Sequence, residues 1–287
     1  MPHRFHLAHM VPDPRLHGLY GYREVIDTFQ WGLVELGHTV TYAENVFSKD
    51  AINIVFGFQV LADGFLDELP RNTIIYNLEQ NPRPGSGIRA KACCNIVARR
   101  LQIWDYCERN LDFWRQLSPA HTVRHVPVGW APVLEKIKSS SSPDIDVLIY
   151  GLPAPLRLQI FHDLCKAGVK CVFLCGLYGE SRDGLIARAK LVLNINQYGA
   201  GRIFEIVRVS YLLANAKPVV ADSMPDTWIE PDVGGAVAFA SPDALKDKCL
   251  SLLQDDSERL RLGKYGQEVI RKRDIRTILS TVLGAMP

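Results

Sequence analysis

Short apolar runs recur along this 287-residue chain, separated by stretches of helical spacing, and those of its second half do not alternate with polar residues. A strand covered on both faces has no polar side to show, so it reads as an unbroken run of valine, isoleucine and leucine. Runs at 3–10, 39–43, 52–56, 73–78, 102–106 and 123–128 occupy the first half, and runs at 146–150, 171–175, 191–195, 218–221 and 236–240 the second. Helices are expected at 18–36, 61–69 and 108–117, then at 156–167, 185–190, 202–214, 242–253, 257–271 and 275–283. Strands taking turns with helices need crossover connections, which lay helices over a largely parallel sheet. The fold class is therefore α/β.

Residues 136–143 (KIKSSSSP) interrupt this alternation. Four consecutive serines build no core and prefer solvated backbone, so the stretch reads as a linker. It divides the chain into a Rossmann-like half over 1–135 and a second over 144–273, facing each other across a cleft. The length suits two units of about 130–150 residues each.

Composition narrows the function classes. A formal net charge of +2 gives no general attraction to nucleic acid or anionic membrane. No run reaches the ~18 apolar residues of a membrane span, and the N-terminus lacks the apolar core of a signal peptide. Seven cysteines, scattered and odd in number, fit reduced thiols in a cytoplasmic protein and show no zinc spacing. Neither first-strand loop carries the G-x-G-x-x-G of a dinucleotide site.

Ligands of doubly wound folds lie beyond the carboxyl ends of strands. The run at 191–195 leads into Asn196, Gln197, Tyr198, Gly199, Ala200 and Gly201 before the helix expected from Arg202. Glycines let backbone approach a ligand closely, and the free N–H groups of a helix start favour an anion such as a diphosphate. Arg202 adds forked donors at an end where the helix dipole disfavours a cation. The helix itself is apolar around most of its circumference, which implies burial, yet it carries Glu205 and Arg208. Buried charges need partners. Either the two pair with each other, or Glu205 accepts hydrogen bonds from the ribose hydroxyls of a nucleotide. After the strand at 171–175, Tyr178 offers a ring to a nucleobase and Arg182 a cation to a phosphate.

The run Arg202-Ile203-Phe204-Glu205-Ile206-Val207-Arg208, continued through Leu212-Leu213-Ala214-Asn215-Ala216-Lys217-Pro218-Val219-Val220, resembles the donor-binding segment of GT-B glycosyltransferases. It is most similar to bacterial "glycosyltransferase family 1" type proteins. The likeness extends through 176–183 and 186–194, and into 75–80 and 104–110 of the first half. It implies two Rossmann-like domains and transfer of a sugar from a nucleotide-diphosphate sugar to an acceptor hydroxyl. It further implies that Glu205 holds the ribose of a UDP-, GDP- or TDP-sugar and that the loop at Gly151 lies near the diphosphate. The helix within 274–287 is expected to pack back on the first half. Many such enzymes carry two glutamates eight apart; this chain has no such pair, and Tyr211 stands about where the second is expected. Related sequences often show histidine where Gln197 stands. These departures sustain an alternative, a catalytically degenerate GT-B fold that binds a nucleotide or a partner without turnover.

In the first half, His17, Gly18 and Tyr20 lie between the first strand and its helix, on the acceptor side of such a site. Glu79 and Asp105 stand at strand ends. A base for the acceptor proton is needed if the enzyme inverts, and His17, Glu79 and Asp105 each qualify; a free histidine titrates near ~6.5. No Asp-x-Asp follows a strand, and Asp144-Ile145-Asp146 reads as solvation of the linker. The expected chemistry therefore uses no metal and no cofactor beyond the nucleotide sugar. The acceptor is open among glycan, protein, small molecule and, with no support from charge, modified nucleic acid.

Overall fold

The computed structural model describes residues 2–11, 13, 15, 17–61, 69–81, 87–120, 122–197 and 203–284. Among them lie two parallel sheets. The first contains β1 (Arg4–His9), β2 (Thr39–Glu44), β3 (Ile52–Phe56), β4 (Thr73–Asn77), β5 (Gln102–Asp105) and β6 (Val123–His125), in the order β2-β1-β3-β4-β5-β6. The second contains β7 (Ile145–Tyr150), β8 (Cys171–Leu174), β9 (Ala189–Asn194), β10 (Val219–Asp222) and β11 (Ala238–Ala240), in the order β11-β10-β9-β7-β8. Each sheet reverses its direction of growth once, between β1 and β3 and between β7 and β9. Loops diverge there and leave a crevice at the strand ends.

The described helices are α1 (Arg23–Glu35), α2 (Gly87–Ala98), α3 (Glu108–Leu117), α4 (Pro155–Lys166), α5 (Gly179–Arg188), α6 (Ile206–Ala214), α7 (Leu245–Gln254), α8 (Asp256–Arg271) and α9 (Ile275–Gly284). The chain forms two units, Met1–Ala131 with Asp274–Pro287, and Pro132–Arg273. The first core gathers Val55, Ile75 and Ile103 with Ile96 and Trp114. The second gathers Val147, Ile149, Leu191, Leu193 and Val220 with Leu164, Leu245 and Leu262. Full burial of one aliphatic side chain contributes about 1.5–3 kcal/mol, so either cluster outweighs any single polar contact described below. In the first unit α9 lies on α1. A Cβ at Gly32 would fall 2.7 Å from Ile275 Cγ2 and 3.0 Å from Leu279 Cδ1, and the Ile275 N–H donates to Trp130 O at 3.0 Å.

Three elements differ from the sequence expectation. The serine stretch belongs to the second unit instead of bridging two bodies: Ile137 N–H donates to Asn215 Oδ1 at 2.8 Å and Ser140 N–H to Ala187 O at 3.0 Å. Polar backbone satisfied by a neighbouring helix and turn has no need of solvent. Helix α5 starts at Gly179, ahead of the expected 185, because polar residues fill its first turns and hide its period. Helix α2 was not anticipated, since Ala-Lys-Ala-Cys-Cys offers no apolar stripe. The expected 61–69 helix falls mainly on 62–68, outside the described residues.

Helix α8 packs on α6 through glycines. A Cβ on Gly263 would stand 2.3 Å from Ala216 O, whereas one on Gly184 in α5 meets nothing within 4 Å. Alanine favours a helix over glycine by about 1 kcal/mol, and overpacking against backbone costs about 1–3 kcal/mol. Gly184→Ala is therefore expected to raise the urea midpoint and Gly263→Ala to lower it, each with an unchanged m-value. Shifts of the same sign would remove the close-approach account.

Candidate functional site

Glu205 stands at the N-cap of α6, not one turn inside a helix begun at Arg202. Phe204 N–H donates to Trp228 O at 2.9 Å and Ile203 bridges Trp228 in parallel; the chain then turns at Glu205 (φ −75°, ψ 53°), where Ile206 N–H donates to Phe204 O at 2.8 Å. The Glu205 carbonyl then accepts the N–H groups of Arg208 and Val209, both at 3.1 Å, and opens the helix. Its carboxylate, Oε2, lies 3.4 Å from Arg208 Nη2. The Glu205–Arg208 pair is thus formed, and both side chains retain partial exposure.

Around it converge the ends of three strands. After β7 the backbone turns at Gly151 with φ +136°, where a Cβ would stand 2.7 Å from Arg157 Nη1 and 3.4 Å from Arg208 Nη2. Only glycine accommodates this turn without strain, and two guanidinium groups flank it. Arg157, in the first turn of α4, is 1% exposed. Its Nε donates to Ile195 O and its Nη1 to Leu152 O, both at 2.7 Å, tying the loop after β7 to the end of β9. Arg208 Nη1 donates to Asn194 Oδ1 at 3.0 Å, and its guanidinium lies 5.5 Å from the Tyr150 ring centre. Buried Asn196 donates its N–H to Asp222 Oδ1 at 2.8 Å. Burial holds the Asp222 carboxyl above the usual carboxylate range. The Asn196 N–H and the Arg157 charge act against that shift, and the Glu205 charge acts with it. Two cations converging on one glycine, beside the N-termini of α4 and α6, favour an anion. Asn194 and Glu205 add polar groups suited to hydroxyls.

Of the donor-side candidates, Gly151, Asn196 and Glu205 belong to this cluster. Gln197 follows it in a partly buried turn, and Tyr198, Gly201 and Arg202 lie outside the described residues. Tyr178, partly exposed, is the N-cap of α5. Arg182 is corrected: it is 4% exposed inside α5, not on a loop. Its Nη2 donates to Asp183 Oδ1 at 2.9 Å, it lies 4.9 Å from the Tyr211 ring centre, and the Tyr211 hydroxyl donates to Asp183 Oδ2 at 2.7 Å. Reaching a phosphate would strand Asp183 in a half-buried place. Tyr211, near where a second glutamate is expected, serves this internal network. Arg157 and Asp222 were missed, because one reads as an ordinary helix charge and the other as a strand end. The signal available was an arginine set directly between two leucines.

In the first unit, His17, Gly18 and Tyr20 lie in a 3-10 turn, His17–Tyr22. The His17 side chain lies outside the described residues. Buried His9 holds this turn: its Nε2 faces Leu19 O at 2.9 Å, and a carbonyl only accepts, so Nε2 carries the proton. Burial lowers the His9 pKa. The Tyr20 ring meets His9 edge-on at 6.1 Å. Glu79 Oε1 accepts from the Tyr22 hydroxyl, and Gln59 Nε2 donates to that hydroxyl at 2.7 Å. Glu79, Gln59, Asn77, Asn81 and Cys93 line a small pocket with Phe58.

Asp105 is fully buried. Its Oδ1 accepts Cys107 N–H at 3.0 Å and Asn110 Nδ2 at 2.9 Å, and its Oδ2 accepts Asn77 Nδ2 at 2.7 Å and Trp114 Nε1 at 2.8 Å. Burial pushes its pKa up to about 7 while these four donors pull it down. Asn77 and Asn110 also donate to Glu79 O, at 2.8 and 2.9 Å. An enclosed carboxyl reaches no acceptor substrate, so Asp105 anchors the loop that carries Glu79. Among the described residues no three histidine, cysteine or acidic side chains gather as a cation site, and no helix is long and apolar enough to cross a membrane.

No family model matches the chain. It is 26% identical over 238 residues to uncharacterized protein L140 of Acanthamoeba polyphaga mimivirus, covering 82% of this chain and 76% of L140. It is also 26% identical to uncharacterized protein L137 of the same virus, over 82% of this chain but 32% of that longer protein. Among solved structures, Anabaena HepE in complex with UDP and glucose superposes with a TM-score of 0.66 at 12% identity, covering 99% of this chain and 100% of HepE. AviGT4, a glycosyltransferase of avilamycin A biosynthesis, gives 0.60 at 15% identity, covering 99% and 96%. Both cover nearly the whole of this chain, through both of its parallel-sheet units. By architecture, then, this chain has the GT-B glycosyltransferase fold.

Proposed function

We propose that the chain is a glycosyltransferase that binds a nucleotide-diphosphate sugar in its second unit and passes the sugar to an acceptor hydroxyl. The observation that carries this reading is the cluster of Gly151, Arg157, Arg208, Asn194 and Glu205 at the carboxyl end of β7 and β9. The diphosphate lies against Gly151, where the paired guanidinium groups and helix N-termini neutralise its charge without a metal ion. Glu205 exchanges its contact with Arg208 for the ribose hydroxyls. HepE, of the same fold, is a protein solved with UDP and with UDP-glucose. In the first unit Glu79, partly exposed and steadied by Tyr22 and Gln59, takes the proton of the acceptor hydroxyl.

UDP, GDP or TDP at about 100 times its dissociation constant stabilises a binding protein by about 2.7 kcal/mol, a rise of several degrees in Tm. One of the three is expected to give that shift with EDTA present, and Glu205→Ala to shrink it markedly while leaving binding measurable. No shift from any of the nucleotides or their sugars would overturn the donor site. Glu79→Gln is expected to lower kcat with nucleotide affinity unchanged. Binding without release of nucleoside diphosphate from any donor would favour the inert alternative.

A further inference from the structure

Arg273 is the last residue of the second unit. Its side chain is 9% exposed and engages two carboxylates. Nε and Nη2 donate to Asp232 Oδ2 and Oδ1 at 2.7 and 2.5 Å, and Nη1 donates to Glu230 Oε2 at 3.2 Å. The planar fork fixes direction as well as distance, which a lysine cannot do. The Arg273 N–H donates to Ile270 O at 3.0 Å, so the guanidinium hangs from the end of α8 at a set place.

What Arg273 holds leads back to the donor cluster. Two residues before Glu230, Trp228 supplies the carbonyl that accepts Phe204 N–H and the bridge to Ile203. Phe204 directly precedes Glu205, and its ring meets Phe239 of β11 edge-on at 5.0 Å. No helical turn lies beneath Glu205, because α6 begins after it. The carboxylate is therefore placed by this two-residue bridge, and the bridge by the loop that Arg273 grips.

We propose that Arg273 is a positioning residue for Glu205, acting through Glu230, Asp232 and Trp228. The inference rests on the reading of Glu205 as a donor contact. A purely structural role for Arg273 would lower Tm and leave nucleotide affinity alone.

The test titrates UDP, GDP and TDP into the full chain by calorimetry, well below the Tm of each variant. Arg273→Ala is expected to weaken the nucleotide that binds wild type by about ten-fold, the usual reach of coupling through a packed loop. Arg273→Lys recovers part of the loss. In a Glu205→Ala background Arg273→Ala costs little more, since the residue it positions is gone. Unchanged affinity in Arg273→Ala, or losses that simply add, overturns the proposal. Amide exchange at 203–206 gives a readout that needs no ligand: it accelerates in Arg273→Ala, and unchanged exchange also overturns the proposal. Should wild type bind no nucleotide, the donor reading fails by itself and exchange alone decides the positioning. If Arg273→Ala does not fold, Asp232→Asn, at a half-exposed carboxylate, takes its place with the same expected directions.

Discussion

Asp105→Asn is expected to remove a fall in stability of about 3 kcal/mol that wild type undergoes between pH 4 and pH 7. The folded carboxyl titrates at about 7, three units above its unfolded value near ~3.9. A group whose folded pKa is raised binds more protons folded than unfolded across that interval. Its contribution is fully present below the unfolded pKa and is lost as pH rises through the folded one. Asparagine does not titrate, so the gap between wild type and variant narrows, or reverses, as pH rises. At the acid end the variant starts behind. Four donors converge on two oxygens, and the amide NH2 turns a donor toward two of them, at about 1–3 kcal/mol each. Urea unfolding of both proteins at several pH values measures the difference directly. A difference that stays constant with pH would mean that Asp105 is not the titrating anchor.

Arg157→Met should cost about 3–6 kcal/mol, because the carbonyls of Leu152 and Ile195 each lose a charged donor worth about 1.5–3 kcal/mol. Methionine replaces much of the stem, so a cavity adds little. The same variant should bind nucleotide less tightly, since one of the two cations beside Gly151 is gone. Gly151→Ala supplies the internal check. In wild type its Cβ meets both an unfavourable φ of +136° and Arg157 Nη1 at 2.7 Å. In the Arg157→Met background the backbone strain and the 3.4 Å approach to Arg208 Nη2 remain but the clash with Arg157 Nη1 is gone, so the two penalties should sum to more than the double variant shows. Strict additivity would mean that the guanidinium does not occupy that space in solution.

Much of the architecture was legible because burial on both faces writes itself into a strand. Ile52–Phe56 and Glu108–Leu117 fall where the apolar pattern put them. Hydrogen bonds between distant segments leave no such trace. The start of α6 was misplaced because Ile203 and Phe204 suit a helix locally, and the bridge to Trp228 overrides that preference. Arg182 follows the same logic, as its spacing from a strand end suggested a ligand while Asp183 and Tyr211 claim it. Glu205 and Gly151 stand out because a charge on an apolar helix and a glycine after a strand are anomalies visible in one dimension. Arg157 became meaningful only once the ends of β7 and β9 were adjacent.

The first unit is built from two separate stretches of chain, with the second unit spelled out between them. During synthesis the strands and helices through Ala131 emerge first, but α9 comes only after the whole inserted unit has been made. Until then α1 carries its groove at Gly32 empty, open to whatever apolar segment passes. Inserted and host units therefore finish in the reverse of the order in which they began, and the nascent host spends that interval with its closing piece still unwritten.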